Sequence, residues 1–234
     1  MAATYLAQLA STEVPVGSLL LVPLGSCEQH GPHLPLDTDL RIACWLSDQL
    51  AQTRSDLVIA PPITIAASGE HQGFAGTLSI GAQVLEAALI ELVRSALPAP
   101  GVGPFEAVLF VNGHGGNIAA VQAAIAQLRL ESRSVTVWNP QVAGGDSHAG
   151  RTETSMLMYI DPDCVRTDSL EAGSTARWRD IAPQVMEQGI GAVAPNGVLG
   201  DPRQATAAEG AQVCAVLLQD LRQFVTDWRE PSNS

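Results

Sequence analysis

The chain has 234 residues, 46% hydrophobic and 15% charged, and its 24 acidic residues outnumber twelve basic ones, all Arg, for a net charge of −12. Without lysine, Schiff-base catalysis, pyridoxal phosphate anchoring and the phosphate-binding lysine of a P-loop are excluded. The acidic balance excludes nucleic acid and anionic membrane surfaces as partners, since both need a basic footprint.

In chain order, the pattern predicts strand Ser18–Leu24, helix Asp39–Gln52, strand Leu57–Ala60, helix Gln83–Leu97, strand Ala107–Val111, helix Asn117–Leu130, strand Val135–Trp138, helix Thr152–Ile160 and helix Ala205–Trp228. Short runs of Leu, Val and Ile alternating with Ala-rich stretches of helical period indicate an α/β fold with a mostly parallel, buried sheet. The Pro and Gly residues of Pro98–Pro104 mark a loop rather than a domain boundary, and a polar tail follows Trp228. At roughly 150 residues per domain, one domain spanning 1–234 is expected.

Cys27, Cys44, Cys164 and Cys214 form no CxxC pair, which fits a reduced intracellular protein. Residues 1–20 lack a basic n-region, and no apolar run approaches the ~18 residues of a membrane span, so a soluble, cytoplasmic protein is expected.

Ligands of open α/β sheets bind beyond the carboxyl ends of the strands. Each predicted strand here is followed by a polar, Gly-rich cluster: Gly25–His33 with Leu36–Asp39, Ser68–His71, Asn112–Asn117, and Asp146–Gly150 with Glu153. All five histidines fall in these clusters. Glu28 and His30, two apart in an extended segment, share a face, and Asp39 at the next helix start closes from the side. Imidazole with carboxylate suits Zn²⁺, Fe²⁺ or Mn²⁺, and a bridging carboxylate permits two metals about 3.5–4 Å apart.

Blander readings exist for each residue alone. Asn112-Gly113 and Gly115-Gly116-Asn117 make a turn and N-cap that would carry His114 as a passenger, Glu153 favours a helix dipole, and His148 could cap a carbonyl. Gathered at one sheet edge, five histidines and several carboxylates point to a metal site. Ser155 lacks a nucleophile elbow, Gly113-x-Gly115-Gly116 fails the dinucleotide spacing, and Cys27 faces away from Glu28 and His30. Trp178, between Arg177 and Arg179, is a candidate for a substrate entrance.

Four segments together carry a resemblance: Leu24-Gly25-Ser26-x-Glu28-Gln29-His30-Gly31-Pro32-His33-Leu34-Pro35-Leu36-x-Thr38-Asp39, Gly69-Glu70-His71-x-Gly73-Phe74-x-Gly76-Thr77, Asn112-Gly113-His114-Gly115-Gly116-Asn117, and His148-Ala149-Gly150-x-x-Glu153-Thr154-Ser155. In order and spacing, from about residue 18 to residue 165, these resemble the creatininase family of metal-dependent amidohydrolases. The resemblance implies a three-layer αβα sandwich. It also implies a divalent metal centre, two metals per subunit of Fe²⁺ or Zn²⁺ with Mn²⁺ also admitted, and a homo-oligomer.

Carried over by position, the ligands are Glu28, His30, Asp39 and His114, with Asp39 as the bridge. Creatininases proper carry Glu where this chain has Gly116, so a fifth ligand must come from elsewhere, and Glu153 is the candidate. The metals would bring the pKa of a bound water to about 7 for attack on an amide carbonyl. His148, titrating in the neutral range, is the expected acid for the leaving amine, with Glu70 and His71 behind it. Ser68, in the same motif, and Arg151, the cation nearest His148 in sequence, are the substrate-binding candidates.

The segment Ser68–Gly81, Leu128-Arg129-x-Glu131 and His148–Ser155 resemble in particular the branch that trims a modified, ribosomally made precursor peptide, implying release of a crosslinked C-terminal Val-Tyr unit. Creatinine or a formylaminopyrimidine nucleotide are the alternative substrates on the same centre. The alternative of another class is a metal-binding assembly subunit without catalysis.

Overall fold

The computed structural model describes residues 2–99 and 102–229. Its centre is β2 (Ser18–Leu24), SLLLVPL, buried at every position. Such a run is stable only with both faces covered, and its neighbours meet that need. β4 (Phe105–Asn112) pairs parallel with β2 over its whole length, β3 (Leu57–Ile59) pairs on the other side, and β1 (Thr4–Tyr5) and β5 (Val135–Trp138) form the edges. The order is β1-β3-β2-β4-β5, parallel throughout, so every carboxyl end opens on one edge.

Alternation along the strands sorts the side chains into two cores. Leu19, Leu21, Leu109 and Val111 pack with Ile42 and Leu46 of α1 (Thr38–Ala51), Leu157 of α4 (Arg151–Ile160) and Leu217 and Leu221 of α6 (Ala207–Arg229). Leu20, Val22, Val108 and Phe110 pack with Leu85 and Leu89 of α2 (Ala82–Ala96) and Val121 and Leu128 of α3 (Ile118–Leu130). This is the three-layer αβα sandwich, and each fully buried Leu in it contributes on the order of 1.5–3 kcal/mol. α4 and α6 touch at backbone distance: a Cβ on Gly210 would lie 1.8 Å from Ser155 O. Ser155 Oγ accepts from Thr206 N at 3.1 Å, a structural task.

The predicted helices occur with ends shifted by one or two residues, and the strands with Leu57–Ala60 shortened to Ile59 and Ala107–Val111 extended to Phe105–Asn112. Two elements escape sequence periodicity. β1 is only two residues long, and α5 (Trp178–Gln188) contains Pro183, which reads as a helix breaker because it lacks a backbone donor. α5 nevertheless forms, because Val185 joins Ile190, Ala194 and Leu199 in a small third core with Phe74 packed against it. Within the predicted loop Pro98–Pro104, Pro100 and Gly101 lie outside the described residues, as does the polar tail beyond Arg229. Among the described residues no helix is long and apolar enough to cross a membrane, and the four cysteines are free thiols.

Candidate metal centre

Two glycines let α1 start against the strand ends. A Cβ on Gly25 would lie 2.5 Å from Leu40 Cα, and one on Gly113 would lie 2.4 Å from Asp39 O, so only bare backbone after β2 and β4 allows Asp39 so deep, 2% exposed. Asn117 ties the loops together: its Nδ2 donates to Gly25 O (3.0 Å) and Asn112 Oδ1 (3.1 Å), while its Oδ1 accepts from Ala67 N (3.1 Å). It therefore knots three strand ends instead of capping α3, which has no side-chain cap. Asn112 Nδ2 in turn donates to His114 O at 2.8 Å.

Three sets of donor atoms converge there, each mutually within 4.8 Å: Glu28, Asp39 and His114; His30, Asp39 and Glu153; Glu28, His30 and His148. Asp39 divides its oxygens between the first two. Its Oδ1 lies 3.1 Å from His30 Nε2, and its Oδ2 lies 3.2 Å from His114 Nδ1 and accepts from Ser26 Oγ at 2.8 Å. Glu153 Oε2 stands 3.9 Å from His30 Nε2 and accepts from Ala149 N at 2.6 Å, an arrangement made by the left-handed turn at Ala149 (φ 50°). Ring centroids of His30 and His148 are 4.3 Å apart, and those of His71 and His148 4.5 Å.

The electrostatics call for positive charge. Glu28 is completely buried and neither of its oxygens accepts a hydrogen bond; His114 Nε2, 3.1 Å from Oε2, makes its hydrogen bond with Ala67 O at 2.9 Å. Burial, opposed in part by His114 and aided by Asp39, raises the Glu28 pKa, and burial raises Glu153 to about 7. Burial also opposes the ionisation of Asp39, but the charges and hydrogen bonds of His30 and His114 hold it well below the carboxylate range. Burial likewise disfavours charge on His30, yet Asp39, Glu153 and Glu28 outweigh it and lift His30 to about 10; at His114, Glu28 and Asp39 outweigh burial and hold the ring well above the ordinary imidazole range. Orphaned carboxylate oxygens in a nest of imidazoles and carboxylates fit a divalent cation, which would replace the imidazolium protons as the countercharge.

A consequence is measurable. His30, raised from 6.5 to about 10, holds its proton at neutral pH in the metal-free protein, so binding must displace it and acidification must weaken binding. Calorimetric titration of metal-free protein with Zn²⁺ is expected to show affinity rising between about pH 6 and 8, with protons released to buffer. Affinity flat across that range would contradict the assignment of His30.

The centre floors a cavity of about 680 Å³, whose walls include Glu70, His71, His148 and, from α5 and the segment after it, Trp178, Met186 and Ile190. Trp178 is 45% exposed and Met186 75% exposed at its lip.

The family described as "Creatininase: Creatinine amidohydrolase" matches residues 7–225. The chain belongs to the creatininase family. It is 46% identical over 217 residues to the mycofactocin precursor peptide peptidase of Mycobacterium ulcerans (strain Agy99), covering 89% of this chain and 85% of that one. It is similarly 46% identical over 221 residues to the protein of the same name from Mycolicibacterium smegmatis, covering 92% and 87%. A crystal structure of creatinine amidohydrolase (creatininase) shares the fold at TM-score 0.82 and 21% identity, over 98% of this chain and 99% of that one. Similar structures include a creatininase described as Mn and a mutant described as Zn-Zn type, at TM-scores of 0.76 and 0.78 and 19% identity, covering 98% and 99% of this chain and 100% of their own. The family binds divalent metals.

Within this creatininase-family chain the expected ligands Glu28, His30, Asp39, His114 and Glu153 all meet at the donor sets. Gly116 is surrounded: a Cβ there would lie 2.5 Å from Glu70 Oε1 and 2.4 Å from His114 Nε2, so the Glu70 carboxylate occupies the room a side chain would need. Glu70 Oε1 is 3.7 Å from His114 Nε2. Ser68 does not line the cavity; it is fully buried, and its Oγ has no hydrogen-bond partner.

Arg151 is also misplaced by the sequence reading. Two residues along a helix are about 200° apart, so with Glu153 turned inward Arg151 points outward, its Nε 2.7 Å from Glu209 Oε2. No Arg lines the cavity among the described residues. His33, the fifth histidine, pins α4 through Thr154 Oγ1 at 2.8 Å, and burial pulls it down to about 4.

His148 departs from the expectation of neutral-range titration: burial, with His30 and His71, pushes its pKa well below the ordinary value. Burial, with His114 and His30, pulls His71 to about 3. Both rings are therefore neutral near pH 7. Sequence reasoning missed Ser26, Gln29 and the supporting role of Asn112 and Asn117; their only signal was position inside the Gly-rich clusters.

Proposed function

We propose that this protein is a metal-dependent peptidase that cleaves an amide near the carboxyl end of a mycofactocin precursor peptide, releasing its crosslinked C-terminal Val-Tyr unit. The observation that carries this reading is the pair of donor sets sharing Asp39 at the floor of the 680 Å³ cavity, in a chain 46% identical to a peptidase of that name. Glu28, Asp39 and His114 would hold one cation and His30, Asp39 and Glu153 a second, with Glu153 supplying the ligand that Gly116 lacks. Bound divalent metal supplies a Lewis acid and a water that is nucleophilic near neutral pH.

The chain's own groups then account for orientation and protons. His148, neutral and facing the floor, takes the proton of the attacking water and returns it to the leaving amine; it is a base before it is an acid. His71 stands beside it with Nε2 3.3 Å from Glu28 Oε1, and Glu70 borders the same space as the further candidate for proton transfer. With no Arg in the wall among the described residues, backbone amides would meet a product carboxylate, and Trp178 and Met186 offer apolar surface to a bulky side chain.

The test is direct. Metal-free protein is loaded anaerobically with Fe²⁺, Zn²⁺ or Mn²⁺ in turn and offered the crosslinked precursor peptide, creatinine and a formylaminopyrimidine nucleotide, with products read by mass spectrometry. The expected result is release of the Val-Tyr unit alone; turnover of creatinine instead, or metal uptake with no amide cleaved, defeats the proposal. Trp178→Ala is expected to raise KM for the peptide about tenfold, the loss of part of one aromatic contact, with metal content unchanged. A reducing, cytoplasmic setting is supported by the four free thiols, and self-association by Leu130 and Val216, 83% and 64% exposed.

A further inference from the structure

Between the ligands Glu28 and His30 stands Gln29, whose side chain the metal centre does not use and which is only 5% exposed. Its amide orientation is set from two sides: Oε1 accepts from Gly31 N at 2.9 Å and Nε2 donates to Gly197 O at 3.0 Å. The cradle is bare backbone by necessity. Gly31 and Gly197 have φ of 65° and 78°, and a Cβ on Gly197 would lie 1.8 Å from Gln29 Oε1.

Two imidazoles meet this residue. His71 Nδ1 lies 3.0 Å from Gln29 Nε2; His148 Nε2 lies 3.1 Å from that nitrogen and 2.9 Å from Gln29 O. An amide nitrogen has two hydrogens, and it faces three acceptor positions. One assignment leaves every group paired. The amide donates to His71 Nδ1 and Gly197 O, and His148 carries its proton on Nε2 and donates it to the Gln29 carbonyl.

From this we infer that Gln29 is a positioning residue that fixes the two histidines in opposite roles: His71 as an Nε2–H donor, and His148 with an unprotonated Nδ1 as its acceptor. The outer nitrogen of each ring is spoken for, so the inner nitrogen has one remaining form. His71 Nε2 faces Glu28 Oε1 at 3.3 Å, and His148 Nδ1 faces the same oxygen at 3.8 Å. An N–H and a lone pair thus stand side by side at the Glu28 carboxylate, the first set against its charge and steadying the ligand, the second open to the proton of the attacking water. The segment carrying Gly197 lies beyond residue 165, and Leu199 of that segment also pairs with His148, Leu199 N donating to His148 O at 2.8 Å. It thereby holds both the Gln29 side chain and the His148 backbone.

This inference rests on the peptidase reading for its catalytic meaning, but its first test needs no substrate. Nitrogen-15 NMR of the histidine side chains in Zn²⁺-loaded protein is expected to show His71 protonated on Nε2 and His148 on Nε2. Gln29→Glu offers only acceptors to His71 and is expected to move its proton to Nδ1; Gln29→Met removes the donor and is expected to leave a mixture. His148, held by the backbone carbonyl, keeps its form in both variants. In the peptide assay both variants are expected to lose about 10- to 100-fold in kcat with KM within about twofold and metal content unchanged. His71 protonated on Nδ1 in the parent protein overturns the inference even if neither variant folds. So does an unaltered His71 in a folded variant, or loss of metal in proportion to activity. If the peptide proves not to be the substrate, the NMR result still decides the role of Gln29.

Discussion

Asp39→Asn is expected to empty at least one of the two metal positions and to lower peptide hydrolysis by on the order of 10³-fold or more, the scale on which transition-state charge stabilisation is lost. Asp39 is the side chain common to the set with Glu28 and His114 and the set with His30 and Glu153, one oxygen turned to each. Asn keeps the shape and the Ser26 contact but has one carbonyl oxygen and no charge. Its amide nitrogen would face either His30 or His114, so it can serve at most one metal. Elemental analysis and activity measured on the same sample check this: full metal content in Asp39→Asn would remove the shared carboxylate from the account. The fold is expected to survive, since the α1 face toward the sheet is carried by Ile42, Leu46 and Leu50, all 5% exposed or less.

His148→Ala is expected to lower kcat by about 10²- to 10⁴-fold, the usual contribution of a positioned acid–base group, while metal content stays near that of the parent. The basis is its place: buried and neutral, its ring tilted against His30 and His71 with centroids 4.3 and 4.5 Å apart, and its outer nitrogen committed to Gln29 O. The competing role is explicit in the structure, because His148 also forms a donor set with Glu28 and His30. Metal loss matching the loss of activity in His148→Ala would make it a ligand, and the proton would then have to pass through Glu70 or His71.

Much of this was legible before any coordinates. The runs Ser18–Leu24 and Ala107–Val111 are too uniformly apolar for anything but strands covered on both faces, and that physics alone yields the parallel sheet. The spacing of Glu28, His30 and Asp39 and the glycines around His114 pointed to a metal at the strand ends. α5 was hidden, because Pro183 weighs against a helix locally while the small core around Val185 that stabilises it has no helical period: it is formed with Ile190, Ala194 and Leu199 of the irregular segment after the helix and completed by the distant Phe74. Arg151 neighbours His148 in sequence but not at the site, because the helical rotation between Arg151 and Glu153 sends them to opposite faces.

Sequence by itself determined the chemistry open to this protein. With no lysine and all five histidines beyond strand ends, only imidazole, carboxylate and metal remained to do the work. What only the tertiary structure decided is which nitrogen and which oxygen of each residue does what: the split of Asp39 between two donor sets, the rotation of Glu153 inward and Arg151 outward, and the hold of Gln29 on two rings. The reason is physical. Residue type and spacing depend on the chain alone, but the protonation and orientation of a buried imidazole depend on the partners that a distant loop, here the one carrying Gly197 and Leu199, brings within 3 Å.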